Sequence, residues 1–70
     1  MTEKERKILA ILAGVGSARG MELVHAVSRM DNVNTSLVLT AMRQNGLLDY
    51  RIIPHEGRAY FITEKGRRAL

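Results

Sequence analysis

The sequence predicts a small α+β domain in which three helices precede a two-stranded β-hairpin and a short C-terminal helix. Three observations support this prediction. Apolar residues recur at helical spacing in the first two thirds of the chain, the residues on both sides of a turn that contains Pro54 and Gly57 separate into one large apolar face and one mixed face, and Thr63 can cap a last helical segment. We expect residues 1–70 to form one domain, because a chain of 70 residues has room for one hydrophobic core.

The first helix is predicted from its cap and its apolar face. Thr2 and Glu5 have the spacing of a capping box, in which the hydroxyl and the carboxylate each satisfy a free backbone amide. The helix is expected to run to about Ala13 and to stop at the glycines that follow. Its apolar face contains Ile8, Leu9, Ile11 and Leu12. Ser17–Arg19 is a short connector, for which a single strand-like bridge stays open as an alternative.

Two further helices are predicted before the hairpin. Helix two is expected over about Met21–Met30, with Leu23, Val27 and Met30 on its apolar side. The residues from Asp31 break this pattern, because Asp and Asn side chains cap helices and form turns. Helix three is expected from about Val33 to Asn45, where Asn45-Gly46 tolerates the left-handed backbone of a helix stop. Its inward side is predicted to contain Thr35, Val38, Leu39 and Met42.

The hairpin register is predicted from the separation of side chains between its two faces. A loop over Pro54–Arg58 places Ile53 opposite Ala59 and Tyr50 opposite Ile62. One face then contains Leu48, Tyr50, Ile52, Tyr60 and Ile62, and the other contains Asp49, Arg51, Ile53, Ala59, Phe61 and Thr63. A slip of one residue would mix the two sets. The second face predicts an exposed apolar cluster around Phe61 and therefore a dimer surface, unless the last helix covers it.

Composition favours a polyanion as the partner. The formal net charge is +4, from 11 Lys and Arg against 7 Asp and Glu. From Arg43 onward there are six basic and three acidic residues, so most of the excess lies in the hairpin half. The chain has no cysteine, which excludes disulfides and thiolate metal sites. Because the chain has neither an apolar run of about 20 residues nor a signal-peptide core, we expect a cytoplasmic protein with no membrane partner.

Two motifs at the expected separation support a family resemblance. Met42-Arg-Gln-Asn-Gly-Leu-Leu is similar to the leucine, three polar residues and Gly-Leu that end a recognition helix, and Tyr60-Phe-Ile-Thr-Glu-Lys-Gly is similar to the tyrosine-x-leucine-threonine-x-x-glycine that follows a wing. From about Ile8 to Leu70 the chain resembles winged helix-turn-helix transcriptional regulators, broadly the MarR- and PadR-like groups. The resemblance implies a winged helix-turn-helix fold that binds double-stranded DNA through helix three and the wing, usually as a homodimer. The long dimerisation helices and the effector pocket of larger members are lacking, which leaves open whether a separate protein partner supplies sensing.

The candidate DNA-binding residues follow from the outward side of helix three and from the basic positions around it. Asn and Gln pair with adenine, Ser and Thr bond bases or phosphates, and Arg favours guanine or phosphate. Leu37 is the exception, since it is expected either to touch a thymine methyl or a protein partner, or to be buried by a rotated helix. For the rest, the alternative is an ordinary solvated polar face. The candidates are Arg19, Asn34, Ser36, Leu37, Thr40, Arg43 and Gln44, with His55 and Arg58 flanking the hairpin tip.

An enzymatic function is not expected. His25 and His55 lie on different elements with no acid pair beside them, so the sequence predicts no catalytic residue, no metal ligand and no cofactor. The alternative to DNA binding is a winged-helix adaptor that binds another protein, with Leu37 and Phe61 as its docking anchors. Arg51, opposite Phe61 in the predicted register, is expected to form a cation–π pair with that ring.

Overall fold

The chain folds into four helices and a three-stranded antiparallel sheet, as seen in a computed structural model that describes residues 1–70. The helices are α1 (Glu3–Val15), α2 (Gly20–Val27), α3 (Thr35–Gln44) and α4 (Glu64–Arg68). The strands are β1 (Ser17–Arg19), β2 (Leu48–Ile53) and β3 (Gly57–Ile62), in the sheet order β1-β3-β2. The predicted α+β class, the four helical segments and the hairpin are therefore confirmed.

The predicted number of strands is wrong, because Ser17–Arg19 forms the strand β1, which is the alternative left open for this connector. Ser17 pairs with Phe61 and Arg19 pairs with Ala59, on the edge of β3 that β2 leaves free. A segment of three residues is too short to show alternation, so no sequence pattern indicated it. It adopts the extended conformation because an unpaired edge of β3 would leave backbone groups without partners.

Side-chain caps set the helix boundaries. Thr2 and Glu5 form the predicted capping box, with the Glu5 amide 3.1 Å from Thr2 Oγ1 and the Thr2 amide 2.8 Å from Glu5 Oε1. Helix α2 ends at Val27, three residues before its predicted end, and α3 begins two residues later than predicted because Asn34 caps it. Even α1, with 13 residues and a length of about 20 Å, is too short to cross a bilayer. No helix has the length and apolar character of a membrane span.

The core lies between the helices and one face of the sheet. Helices α1, α2 and α3 contribute Ile8, Leu9, Leu12, Leu23, Val27, Leu39 and Met42, and the sheet contributes Ala18, Leu48, Tyr60 and Ile62. The predicted apolar faces of all three helices are represented in this cluster. The inward side of α3 is also as predicted, with Thr35 buried and Val38 half-buried.

The predicted hairpin register is wrong by two residues. Tyr50 pairs with Tyr60 and Ile53 pairs with Gly57, so the turn comprises only residues 54–56. Two residues on either side of Glu56 have a left-handed backbone, His55 within this turn with φ +66° and Gly57 directly after it with φ +85°. Because side chains alternate with a period of two, a shift of two residues leaves each side chain on its predicted face. The apolar pattern therefore could not distinguish the two registers.

The predicted exposed apolar cluster on the outer sheet face is wrong. Ala59 is buried, and Ile53 and Phe61 are half-buried. Ala59 lies between Arg19 on β1 and Arg51 on β2, whose long side chains share its face of the sheet. The Arg51 guanidinium carbon lies 5.1 Å from the centre of the Phe61 ring, which confirms the predicted cation–π pair.

Candidate nucleic-acid interface

Helix α3 presents a polar side to solvent. Every candidate residue predicted to lie on the outward side of helix three is exposed, namely Asn34, Ser36, Leu37, Thr40, Arg43 and Gln44. Ala41 is exposed as well. Ser36, Thr40 and Arg43 follow each other at spacings of four and three residues, so they lie on one stripe along the helix. Leu37 is 67 % exposed, which rules out the rotated helix that would have buried it.

Asn34 acts as the N-cap of α3. Its Oδ1 accepts a hydrogen bond from the Ser36 amide at 2.9 Å. Recognition of adenine by Asn uses the side-chain oxygen and the side-chain amide together. While Asn34 Oδ1 caps the helix, the side-chain NH2 group is the part of Asn34 that stays free for a ligand.

Arg58 does not flank the hairpin tip as predicted. It is a β3 residue opposite Ile52, because the turn is two residues shorter than expected. Its guanidinium carbon lies 4.6 Å from the centre of the Tyr50 ring, and Nη1 donates to Tyr60 Oη at 3.5 Å. Arg58 therefore lies beside α3 instead of projecting from the turn.

A cleft runs between α3 and the hairpin, and we call it the α3–hairpin cleft. Its polar lining combines three predicted residues of α3 with Arg58 and two tyrosines. These residues are Thr40, Arg43, Gln44, Tyr50, Arg58 and Tyr60. A second depression continues it toward α2, where Ser36 and His25 join Thr40 and Arg58. The structure thus brings five of the nine predicted residues together, namely Ser36, Thr40, Arg43, Gln44 and Arg58.

Sequence reasoning missed Tyr50, Tyr60 and His25. The predicted register places both tyrosines on the hairpin face that contains Leu48 and Ile62, yet Tyr50 is only half-buried and its ring contacts both arginines of the cleft. The ring centres of Tyr50 and Tyr60 lie 5.5 Å apart, as expected for paired residues of neighbouring strands. A correct register, with these tyrosines directly opposite, would have indicated an aromatic pair beside α3.

The remaining predicted residues lie outside the cleft. Arg19 forms an ion pair with Glu56, which joins the start of α2 to the hairpin turn. His55 is exposed in that turn with a left-handed backbone. Leu37 lines a separate groove between α3 and the start of α1, together with Val33.

The two arginines of the cleft differ in whether they have an acidic partner. The Nε of Arg43 lies 2.7 Å from Asp49 Oδ1, whereas Arg58 has no carboxylate partner. The hydrogen bond from Arg43, followed by one from the Tyr50 amide, holds the pKa of Asp49 below its usual value. The hydrogen bond to Asp49 likewise raises the pKa of Arg43. Both partners are therefore charged at neutral pH and together carry no net charge, while the charge of Arg58 is uncompensated.

The chemistry of the cleft is that of hydrogen-bond donation to anions and to base edges. Hydroxyl, amide and guanidinium groups from α3 and β3 point to a common space beside two aromatic rings. Such groups are the ones that contact phosphate oxygens and the edges of bases. Comparison with protein-family models, with curated proteins and with solved structures finds no match to this chain.

Proposed function

We propose that the chain is a winged helix-turn-helix domain that binds double-stranded DNA and acts as a small transcriptional regulator. In this proposal α3 is the recognition helix and the β2–β3 hairpin is the wing. The observation that carries the proposal is the α3–hairpin cleft, in which the exposed polar side of α3 lies beside an arginine without an acidic partner.

The dimensions and the side chains of α3 suit a major groove. Ten residues give a helix of about 15 Å, and the groove of B-DNA is about 12 Å wide and admits one helix. The stripe of Ser36, Thr40 and Arg43 offers hydroxyl and guanidinium groups along the side that would face the bases. The net charge of +4 favours approach to the phosphate backbone.

Substitution of Arg58 tests this proposal. Arg58→Ala is expected to weaken binding to a labelled random-sequence duplex about tenfold, because a charge-assisted hydrogen bond to phosphate is lost. The slope of log affinity against log salt should fall in magnitude by about 1. Fluorescence anisotropy titrations at several salt concentrations measure both quantities.

Arg51→Ala is the matched control, since it removes the same charge from the outer sheet face, where Arg51 stacks on Phe61. We expect a much smaller loss of affinity from it than from Arg58→Ala. Equal effects of the two variants would mean that binding depends on net charge and not on the α3–hairpin cleft. Unchanged binding in both would remove Arg58 from the interface.

A protein-binding adaptor is the second candidate, and the exposure of Leu37 favours it. Leu37 lines an apolar groove with Val33, Val38 and Ala41, and an apolar partner side chain would fit there. Phe61, the other anchor expected for an adaptor, is half-buried and has Arg51 stacked on its ring, which weakens this candidate. Salt separates the two functions, because apolar docking responds little to ionic strength whereas duplex binding falls steeply with it.

The homodimer implied by the family resemblance is a separate prediction. Two copies of α3 about 34 Å apart would meet successive major grooves on one side of a duplex. Sedimentation equilibrium should then show a mass that rises with concentration from 7.8 kDa toward twice that value. Phe61→Ser is expected to reduce the rise if the outer sheet face forms the interface, and a mass independent of concentration would contradict the dimer.

A further inference from the structure

We propose that Arg43 reads a guanine base and that Asp49 and Tyr50 are positioning residues that fix its guanidinium for this task. The inference rests on the proposed DNA binding and adds to it a base identity and a specificity-determining contact. Three features of the structure carry it: the restraint of the guanidinium, its free donor groups and the neutrality of the Arg43–Asp49 pair.

The guanidinium of Arg43 is restrained in two directions. Its Nε donates to Asp49 Oδ1 at 2.7 Å, which fixes it from the side. Its central carbon lies 4.4 Å from the centre of the Tyr50 ring, so the ring covers one face. Asp49 Oδ1 also accepts from the Tyr50 amide at 2.8 Å, and the carboxylate is therefore tied to the backbone of β2.

This arrangement leaves the terminal amino groups of Arg43 free. Neither Nη group has a hydrogen-bond partner in the protein, although the side chain is only 49 % exposed. The two Nη groups form a planar fork, and such a fork matches the O6 and N7 acceptors of guanine in the major groove. Because the side chain is already immobilised, less rotamer entropy is lost when this contact forms.

The charge of the pair favours a base edge over a phosphate. A phosphate at the Nη groups would lie close to the Asp49 carboxylate, and the two like charges would repel. The guanine edge is neutral and presents two acceptors, so the carboxylate does not oppose it. Arg58, which has no carboxylate partner, has the opposite character and suits phosphate. In this proposal Arg43 therefore recognises a base, and Arg58 binds the phosphate backbone of the duplex.

The test is a selection of bound sequences from a library of randomised duplexes with the wild type, Arg43→Ala, Arg43→Lys and Asp49→Asn. Wild-type sites should contain a guanine position that neither Arg43 variant selects. Changing that G·C pair to A·T should weaken wild-type binding by about 5- to 150-fold, the range expected for one bidentate contact. A deazaguanine that lacks the N7 acceptor should cause part of the same loss. Arg43→Lys keeps the charge and loses the fork, so its guanine preference should fall by a larger factor than its affinity for unselected duplexes.

Asp49→Asn tests the positioning role. The side-chain oxygen can still accept from the Tyr50 amide, so we expect the variant to fold, and its thermal unfolding followed by circular dichroism checks this. Without its charge, the oxygen holds Arg43 Nε less strongly than the carboxylate does, so the guanidinium is less restrained. It should bind unselected duplexes at least as tightly as the wild type, because it removes a negative charge. Its preference for guanine over adenine at the Arg43 position should fall severalfold. A purely structural role would instead change the affinity for every duplex by one common factor.

The inference and the proposed function fail in different ways. The inference is overturned if the wild type selects no guanine, if Arg43→Ala keeps the guanine preference, or if Asp49→Asn leaves that preference unchanged. In each of those cases duplex binding itself stands. If the wild type binds no duplex at all, both the inference and the proposed function are overturned.

Discussion

Gly66→Ala is expected to lower the free energy of unfolding by about 3 kcal/mol and the melting temperature by on the order of 15 °C. A Cβ atom at this position would lie 2.0 Å from the carbonyl oxygen of Leu47 and 2.8 Å from Cγ1 of Ile62. The first of these neighbours is backbone, so it cannot rotate away. Relief of the clash requires α4 to move off the segment that follows α3.

The close approach of Gly66 belongs to a set of contacts that fix the C-terminal end of α3. Thr63 Oγ1 accepts from the Gly66 amide at 3.0 Å and donates to the Gly46 carbonyl oxygen at 2.5 Å. Lys65 Nζ donates to the Asn45 carbonyl oxygen at 2.7 Å. Helix α4 thereby holds the turn that connects α3 to β2, and this turn sets the position of the hairpin against α3. We therefore expect Gly66→Ala also to weaken the duplex binding that we propose for this surface.

Gly14→Ala is the matched control for this prediction. Gly14 lies in α1, its backbone is not left-handed, and apart from its chain neighbours and the backbone of its own helix no atom would lie within 4 Å of a Cβ at this position. Alanine is favoured over glycine inside a helix, so this variant should gain about 0.5–1 kcal/mol. Urea unfolding followed by circular dichroism compares the two variants. A Gly66→Ala protein as stable as the wild type would contradict the packing described for α4.

The parts of the fold that the sequence predicted are those set by local patterns. The apolar side of α3 followed from the spacing of Val38, Leu39 and Met42, and the start of α1 followed from Thr2 and Glu5. The wrong predictions concern the pairing of strands, which depends on residues far apart in the sequence. Strand β1 exists because of the free edge of β3, and neither the apolar alternation nor the turn composition distinguishes registers that differ by two residues.

The candidate site was predicted only in part, because local patterns indicate which residues face outward but not which residues they contact. The exposed side of α3 follows from helical periodicity, so Ser36, Thr40 and Arg43 were identified correctly as outward-facing. The surroundings of each arginine were not predictable, because they depend on the register. A shift of two residues takes Arg58 from the turn into β3 and brings it against Tyr50. The pairing of Arg43 with Asp49 likewise joins two elements whose contact no pattern encodes.

Lys4→Met is expected to lower the free energy of unfolding by about 2 kcal/mol, through the loss of hydrogen bonds made by a buried ammonium. Lys4 is 2 % exposed and lies one turn before Ile8, on the core side of α1. Its Nζ donates to Asp31 Oδ1 at 2.8 Å and to the Val33 carbonyl oxygen at 2.7 Å. Methionine keeps the volume of the side-chain stem, so the change isolates the polar contacts. These contacts hold the turn before α3, just as α4 holds the turn after it.

Acid should reduce the difference in the free energy of unfolding between Lys4→Met and the wild type. The hydrogen bond from Lys4, followed by that from the Val33 amide, lowers the pKa of Asp31 in the folded protein. The unfolded chain, in which this carboxyl has its ordinary pKa of about 3.9, therefore binds the proton more readily than the folded chain does. The stabilisation is complete above that pH and is lost as the pH falls through the lowered pKa of the folded state. Urea unfolding of both proteins at neutral pH and near pH 2 measures the effect, and an equal difference at the two pH values would show that Lys4 stabilises the turn without its partner carboxylate.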